Sequence, residues 1–301
     1  MTHLFAFGLG YSAGRLAQRL AIDGWRITGT SRSPEGAAAM AARGWHGLTF
    51  DGSAPNPALT PALASATHVL VSIPPDSAGD PALRCHRANL AAAPHLEWIG
   101  YFSTVGVYGD HAGGAVDEDT PTTPGSDRGR RRCGAEQDWL AFAAATGKRV
   151  TLFRLPGIYG PGRSVVDTLK AGAARRIVKP GQVFNRIHVD DIATAVAAAM
   201  IGPTRHAVYN VTDDEPTSSE DVLVFAARML GLPEPQPIDF ATASLSPMAA
   251  SFYAESKRVS NHRLKTDLGV TLRYPTFREG LSAIIAKSPL EETQHPFNPR
   301  R

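Results

Sequence analysis

Short apolar runs alternate with helix-forming stretches through the first two thirds of the chain, and this alternation constrains the fold more than any other feature. The run LFAFG is followed by GRLAQRLAIDG, WRITGTS by SPEGAAAMAARG, and THVLVSI by PALRCHRANLAAA. Strands that alternate with helices of about ten residues form right-handed βαβ units and a parallel sheet covered on both faces. We therefore predict an α/β fold with a doubly wound parallel sheet.

The alternation weakens after residue 163, which indicates a second and smaller part of the chain. We expect residues 1–163 to form the main domain, with a strand at 206–211 returning to its sheet. Residues 164–301 would then form a smaller C-terminal α/β part. We expect the final segment, ETQHPFNPRR, to be disordered or loosely docked.

Several helix boundaries are marked by residues with known capping preferences. Ser33 stands directly before Pro34, which predicts a helix N-cap followed by proline at the first helical position. Gly24 and Gly147 follow helical patterns where a helix-terminating glycine would stand. These signals support the helix assignments.

Composition excludes several classes of protein. With 43% hydrophobic and 20% charged residues and a net charge of +3, the chain lacks the dense basic face of a nucleic-acid binder. Cys85 and Cys133 have no metal-ligand spacing, so we expect two free thiols and no metal. No stretch approaches the ~18 apolar residues of a membrane span, and the N-terminus does not resemble a signal peptide. We expect a cytoplasmic enzyme with no nucleic-acid or membrane partner.

The stretch FAFGLGYSAGRLAQRL contains a G-x-G-x-x-A pattern between a predicted strand and a predicted helix. Gly8 would permit a tight turn, Gly10 would let the backbone approach a pyrophosphate, and Ala13 would let the helix pack closely. The amides of Tyr11 and Ser12 begin the helix, whose N-terminus attracts anions. The pattern predicts a dinucleotide-binding loop, and the alternative is a turn with a structural role only.

The end of the second predicted strand indicates which dinucleotide is bound. The acid that would bind an NAD ribose is missing there, and Ser31 and Arg32 could instead donate to a 2′-phosphate. We therefore expect NADP rather than NAD. Glu35 is the residue that could reverse this preference, although it could equally be a first-turn helix charge. Asp51, after the third strand, could accept from the adenine amino group or cap its own loop.

Several longer stretches resemble one protein family in order and spacing. They are YFSTVGVYGD, PTTPGSDRGRRRCGAEQDW, LFRLPGIYGPGR, FNRIHVDDIATAV, YNVTDDEPTS and KRVSNHRLKTDLGVTLRYPTFREGL. Together they resemble the extended or atypical short-chain dehydrogenase/reductases, the NAD-dependent epimerase/dehydratase family. GLGYS, SIPP and KRVSN are similar to its YeeZ-like branch in particular.

The resemblance implies a Rossmann-type domain that binds NAD(P) and a smaller C-terminal part that closes over the substrate. It implies a small polar substrate such as a nucleotide sugar, and it assigns Ser72, Ile73 and Pro74 to the cofactor site. The helices that flank the arginine-rich segment commonly form a homodimer face in this family.

The segment SDRGRRRCGAE departs from the family pattern. The family carries a Tyr-x-x-x-Lys motif here, and alignment on GAE places Arg128 at the tyrosine and Arg132 at the lysine. The lysine normally lowers the tyrosine pKa for proton transfer, whereas arginine is a poor proton donor at neutral pH. Because residues four apart share a helix face, we interpret Arg132 as a ribose ligand and Arg128 as a clamp for an anionic substrate group. In the alternative interpretation all four arginines, Arg130 and Arg131 included, decorate an exposed helix start.

Another group would then have to move the proton. Thr104 and Ser103 could bind a substrate carbonyl or hydroxyl, and Tyr108 could act as the acid. His188 or Tyr159 could enter from the far wall of the cleft. Each of these side chains has a structural alternative.

The resemblance also implies contacts on the far side of the cleft. Pro156, Gly157 and Ile158 would lie beside the nicotinamide. The polar residues expected to contact the substrate there are Arg163, Asn185 and Arg186. Asp190 is expected to be a helix N-cap or a packing anchor.

Two functions follow from these observations. The first is an NADP-dependent oxidoreductase or epimerase that acts on a small polar molecule. The second is a non-catalytic module that binds NADP(H) and signals to a partner. A scaffold without a cofactor is a third alternative, and the intact glycine loop argues against it.

Overall fold

The computed structural model describes residues 1–287, and the predicted disordered segment ETQHPFNPRR lies outside them. The strands are β1 (His3–Phe7), β2 (Arg26–Ser31), β3 (His46–Thr49), β4 (His68–Val71), β5 (Trp98–Thr104), β6 (Ala115–Val116), β7 (Arg149–Leu155), β8 (Gly157–Tyr159), β9 (Arg176–Val178), β10 (Arg186–His188), β11 (Val208–Asn210), β12 (Pro237–Asp239) and β13 (Arg258–Val259). The helices are α1 (Tyr11–Ile22), α2 (Pro34–Ala41), α3 (Thr60–Ser65), α4 (Pro81–Ala92), α5 (Asp127–Thr146), α6 (Val165–Lys170), α7 (Val189–Ile201), α8 (Ser219–Met229), α9 (Pro247–Tyr253), α10 (His262–Leu268) and α11 (Phe277–Lys287).

Seven strands form one parallel sheet in the order β3-β2-β1-β4-β5-β7-β11. The chain winds outward in both directions from β1 and β4, so the strand order reverses between them. The predicted α/β fold with a doubly wound, Rossmann-type sheet is therefore confirmed. The late strand β11 joins this sheet beside β7.

Both faces of the sheet are covered, because successive strand residues point to opposite sides. Leu4 and Ala6 of β1 pack with α1, α2 and α7 on one face. Phe5 and Phe7 pack with α3, α4 and α5 on the other. Apolar side chains on both faces explain why these strands read as continuous hydrophobic runs.

A separate hydrophobic cluster holds the C-terminal helices together. It joins α6, α8 and α11 through residues such as Leu169, Ala226 and Leu281. The remaining strands form three parallel pairs, β8 with β10, β9 with β12 and β6 with β13. Helices α6, α8 and α11 therefore have their own core, whereas α7, β11 and α10 pack in the core of the main sheet.

The predicted local signals agree with the structure. The Ser33 hydroxyl accepts the Gly36 N–H at 3.2 Å at the start of α2. Gly147 ends α5 in the left-handed conformation. Cys85 and Cys133 are free thiols. In the described part of the chain, no helix is long and apolar enough to cross a membrane.

Candidate functional site

The loop after β1 is tightly packed at its first glycine and open at its second. Gly8 has a φ of +81°, and a Cβ there would lie 2.6 Å from Ile73 Cγ2, so a side chain is excluded. The Gly8 N–H donates to the Thr30 hydroxyl at 2.8 Å, and the Leu9 N–H donates to the Thr30 carbonyl at 3.1 Å. A Cβ on Gly10, at the start of α1, would meet no atom within 4 Å. The backbone at Gly10 is therefore accessible to a ligand.

A cavity of about 700 Å³ lies beside this loop. It lies where the strand order reverses between β1 and β4, the position at which doubly wound sheets bind ligands. The predicted cofactor residues that line it are Gly8, Gly10, Ser31, Arg32, Asp51, Ser72, Ile73 and Pro74. Together with the open backbone at Gly10, this lining fits a dinucleotide.

The rest of the predicted glycine motif lies in α1. Tyr11 lines a second cavity of about 340 Å³ next to the first. Ser12 and Ala13 are buried, so only their backbone can serve a ligand at the helix start. The small side chain of Ala13 lets α1 pack against the sheet, as the sequence pattern predicts.

The unpaired side-chain charge at the end of β2 is that of Arg32, and it is positive. Arg32 is exposed and has no acidic partner within residues 1–287. Glu35 lies in the first turn of α2, where its own amide and the Ser33 hydroxyl lower its carboxyl pKa. Glu35 is not among the residues that line the cavity. Its position agrees with a helix charge rather than with a ribose ligand.

Asp51 lines the same end of the cavity. Its Oδ1 accepts the Ser53 amide at 2.9 Å and the Ser53 hydroxyl at 2.7 Å, and these bonds lower the carboxyl pKa. Asp51 is therefore a loop cap in this structure, while its second oxygen is free to accept another hydrogen bond.

Sequence reasoning missed part of the cavity wall. The additional lining residues are Leu9, Thr30, Gly36, Ala39, Met40, Arg43, Trp45, Phe50, Asp76 and Pro81. Phe50 adjoins Asp51 and could have been found from the strand end. Arg43 and Trp45 belong to the turn after α2, and only the folding of that turn brings them to the cavity.

Beyond the cavity, the end of β5 provides one accessible hydroxyl. Thr104 is half-buried, and its Oγ1 accepts the Gly106 N–H at 3.1 Å, which leaves its own proton free to donate. Ser103 is 5% exposed and donates its hydroxyl proton to the Glu136 carboxylate. Of the two hydroxyls predicted to bind substrate, only that of Thr104 remains available.

Tyr108 belongs to a buried polar network and lines neither of the two cavities. Its side chain has no exposed surface, and its hydroxyl donates to Asn210 Oδ1 at 2.8 Å and accepts from Arg154 Nη1 at 2.9 Å. Arg154 also forms an ion pair with Glu136 at 2.8 Å. Burial raises the pKa of Tyr108 to about 12. The predicted acid thus lies inside the protein, because it packs with Val116 of β6 and Val259 of β13.

Arg132 and Arg128 have different surroundings, although both lie on α5. Arg132 is 8% exposed, and its Nη1 donates to the Tyr101 hydroxyl at 3.1 Å and to the Phe102 carbonyl. The predicted ribose ligand is therefore turned against β5. The alternative of four surface arginines is wrong for this residue.

Arg128 is exposed, and among the described residues it has neither a hydrogen-bond nor an ion-pair partner. Partial burial and the charge of Arg132 lower the pKa of its guanidinium. An arginine in this condition still carries its charge at neutral pH. Arg130 differs, because it pairs with Asp127 at the surface.

The predicted far wall contains both accessible and buried groups. Pro156 and Ile158 are half-buried and Gly157 is exposed, where β8 pairs with β10. Arg163 is exposed, and its guanidinium lies 5.5 Å from the centre of the Tyr11 ring. These residues lie outside the two cavities described above.

Asn185 and Arg186 have structural partners instead of free polar groups. The Asn185 amide donates to the Lys257 carbonyl at 3.0 Å and accepts the Val259 N–H at 2.9 Å. The Arg186 guanidinium donates to the backbone carbonyls of residues 184, 217 and 218. The structure therefore does not place either side chain as a free substrate contact, because backbone groups already use their polar atoms.

The side chains of His188 and Tyr159 are also buried and hydrogen-bonded within the protein. His188 is 1% exposed, and its Nδ1 accepts the Asp190 N–H at 3.1 Å, so His188 caps α7. The Tyr159 hydroxyl donates to the Thr276 carbonyl at 3.4 Å. Burial lowers the pKa of His188 to about 4 and raises that of Tyr159.

Asp190 is a packing anchor and not the N-cap of α7. It forms an ion pair with Arg15 of α1, and this pair joins two helices on one face of the sheet. The next residue, Asp191, is fully buried and accepts the Arg273 and Tyr274 amides at 2.7 and 3.0 Å. Sequence reasoning did not identify this second anchor.

Metal-ligating residues are not clustered. Across residues 1–287, no group of three or more His, Cys, Asp or Glu side chains is arranged to hold a metal ion. The larger cavity is lined by hydroxyls and by the guanidinium groups of Arg32 and Arg43, which suit an anionic ligand. It is also lined by the carboxylates of Asp51 and Asp76, of which Asp76 is paired with Arg84.

The fold, the glycine loop and the cavity together are those of a Rossmann-type dinucleotide-binding protein. The model of the NAD dependent epimerase/dehydratase family matches residues 85–212. Protein YeeZ of Escherichia coli (strain K12) is 28% identical over 281 residues, which is 89% of this chain and 94% of YeeZ. The match to this family model and the similarity to YeeZ together support an extended short-chain dehydrogenase/reductase of the epimerase family.

Solved structures share the fold of this chain. A conserved protein of unknown function from Silicibacter pomeroyi DSS is 49% identical, with a TM-score of 0.87 over 96% of this chain and 99% of that one. Human epimerase family protein SDR39U1 with NADPH is 20% identical, with a TM-score of 0.72 over 96% and 100% of the two chains. MoeE5 in complex with UDP-glucuronic acid and NAD is 22% identical, with a TM-score of 0.72 over 94% and 97%. At identities of 20% and 22%, the last two similarities show a shared fold only.

Proposed function

We propose that the chain is an NADP(H)-dependent oxidoreductase or epimerase that acts on a small, polar, anionic substrate. The observation that carries this proposal is the 700 Å³ cavity, where the glycine loop faces Ser31 and Arg32 and β2 ends without an acid. A carboxylate at that position selects NAD, whereas an arginine accommodates the additional phosphate of NADP. Human SDR39U1, which has the same fold, was solved with NADPH.

Each part of the cavity has a proposed task. The amides at the start of α1, from Gly10 to Ala13, would bind the pyrophosphate. Ser31 and Arg32 would bind the 2′-phosphate, and the free oxygen of Asp51 would accept from the adenine amino group. Ser72, Ile73 and Pro74 would form the opposite wall. The bound cofactor would supply or accept hydride, so this chain has to provide orientation, charge and proton movement.

Thr104 and Arg128 are the groups that we assign to the substrate. The Thr104 hydroxyl can donate to a carbonyl or alkoxide oxygen because its acceptor role toward Gly106 leaves the proton free. Arg128 has no counter-ion in residues 1–287, and Arg132 adds to the positive potential around it. A substrate carboxylate or phosphate would relieve this repulsion and form charge-assisted hydrogen bonds.

Residues 164–301 are the part that we assign to the substrate, and residues 1–163 to the cofactor. Pro156, Gly157, Ile158 and Arg163 would form the far wall of the cleft. MoeE5 was solved with UDP-glucuronic acid, a nucleotide sugar with a carboxylate, and a substrate of this class fits the charge of Arg128. We also propose a homodimer through α4 and α5 and a cytoplasmic location, with which the two free thiols agree.

A second function is favoured by one specific observation. The Tyr-x-x-x-Lys pair is replaced, and the nearby Tyr108 is buried with its hydroxyl already bonded. The groups we assign to the substrate therefore lack a strong neutral-pH acid. A protein with this constellation could bind NADP(H) and an anionic ligand without turnover, as a sensor.

Binding and turnover measurements separate the two functions. NADPH is titrated by fluorescence, and oxidation of the reduced nicotinamide is followed with a panel of carbonyl compounds and acidic nucleotide sugars. The enzyme proposal predicts turnover with an anionic member of the panel, and Arg128→Gln should raise KM for it by about tenfold or more. Arg131→Gln, an exposed neighbour on α5, is the matched control. NADPH binding without turnover, unchanged in Arg128→Tyr, would favour the sensor.

A further inference from the structure

Arg43 lies where the two cavities beside the glycine loop meet. It lines the cavity of about 700 Å³ together with Ser31 and Arg32. It also lines the smaller cavity of about 340 Å³ together with Gly10 and Gly14. Its side chain therefore borders both the end of β2 and the start of α1.

The turn after α2 explains this position. The Arg43 and Trp45 amides both donate to the Met40 carbonyl, at 3.0 and 3.2 Å, so the chain reverses directly after the helix. Trp45 is 7% exposed, and the Arg43 guanidinium carbon lies 5.2 Å from the centre of its ring. Such stacking holds an arginine in place without using its N–H donors. A Cβ on Gly14 would lie 4.0 Å from Arg43 Nη1, which places the charge beside the second turn of α1.

The charge of Arg43 is not neutralised by a neighbouring acid in residues 1–287. The acids that line the same cavity are engaged elsewhere, because Asp51 accepts from Ser53 and Asp76 forms an ion pair with Arg84. Two unpaired arginines, Arg32 and Arg43, therefore border one cavity. This arrangement suits a ligand group with two negative charges.

We propose that Arg43 is a second specificity-determining residue, which binds the cofactor 2′-phosphate from the wall opposite Arg32. The inference rests on the proposed use of NADP(H) and adds the residue that completes the phosphate site. The 2′-phosphate would receive donors from both arginines and from the Ser31 hydroxyl. Discrimination against NAD then depends on the turn after α2 as well as on the end of β2.

Calorimetric titration of the purified protein with NADPH, NADH and adenosine 2′,5′-bisphosphate tests this inference. Arg43→Gln should weaken NADPH and the bisphosphate by about tenfold or more, because a charge-assisted hydrogen bond is lost, and should leave NADH within about twofold. Arg43→Lys should give an intermediate loss, since it keeps the charge but not the stacked fork. Arg26→Gln is the matched control, an exposed arginine at the opposite end of β2.

The possible failures are distinguishable. If Arg43→Gln weakens NADPH and NADH equally, Arg43 binds a group common to both, and the 2′-phosphate assignment is wrong. If it changes NADPH affinity no more than Arg26→Gln does, Arg43 is only a surface residue. If the wild-type protein binds neither dinucleotide, the proposed function itself is overturned. Melting curves of each variant establish that the exposed substitutions leave the fold intact.

Discussion

Removal of the Glu136 carboxylate should be among the most destabilising single changes in this chain. Glu136 and Arg154 have side-chain exposures of 6% and 7%, and Arg154 donates to Glu136 from Nε and Nη2 at 2.8–3.3 Å. Glu136 also accepts the Ser103 hydroxyl. Glu136→Ala leaves a buried guanidinium whose remaining partner is Tyr108, and breaking such a pair costs about 3–5 kcal/mol.

Urea unfolding, followed by tryptophan fluorescence, measures this cost. The double variant Glu136→Leu/Arg154→Met removes both charges, so it should lose less stability than Glu136→Ala alone. Arg130→Ala is the internal control, because Arg130 and Asp127 form a pair on the same helix with exposures of 56% and 79%. That variant should cost less than about 1 kcal/mol. A cost for Glu136→Ala as small as that of the control would refute the reasoning.

Three further outcomes are expected. Burial lowers the pKa of His188 to about 4 from its ordinary 6.5, so the stability that its neutral ring confers is present above pH 6.5 and lost as the pH falls toward 4. His188→Asn keeps an N-cap acceptor without the titration, and acid unfolding should show a flatter pH dependence for this variant. Ser31→Asp places an acid at the end of β2 and should shift the NADPH-to-NADH affinity ratio toward NADH by about tenfold or more; an unchanged ratio would argue against the assigned 2′-phosphate site. Gly8→Ala combines a φ of +81° with a 2.6 Å approach to Ile73 and should cost at least about 1–3 kcal/mol in thermal unfolding; a wild-type melting temperature would contradict the tight-turn argument.

Features that depend on local chemistry could be predicted from the sequence. The alternating pattern predicted the doubly wound sheet, and capping preferences predicted the N-cap at Ser33 and the end of α5 at Gly147. The G-x-G-x-x-A pattern predicted the loop at Gly8, because a tight turn beside a neighbouring strand leaves no room for a side chain. Each of these features leaves a signal in residues that are close together in the chain.

Features that depend on tertiary packing could not be predicted in this way. Helical spacing placed Arg128 and Arg132 on one face, but it did not show that Arg132 is buried and bonds to β5 while Arg128 is exposed. Tyr108 bonds to Arg154, 46 residues away, and such distant partners leave no periodic signal. At the start of α7, His188 is the N-cap, whereas Asp190 forms an ion pair with Arg15 of α1.

Calorimetry of dinucleotide binding to the wild-type protein and to Gly10→Val tests the central claim most directly. A Cβ on Gly10 would meet no atom within 4 Å, so the variant should unfold like the wild type while its side chain occupies the space assigned to the pyrophosphate. We expect one micromolar NADPH site in the wild-type protein and a loss of roughly a hundredfold or more in the variant. No binding to the folded wild-type protein at millimolar dinucleotide, or equal affinity in both proteins, would contradict the account.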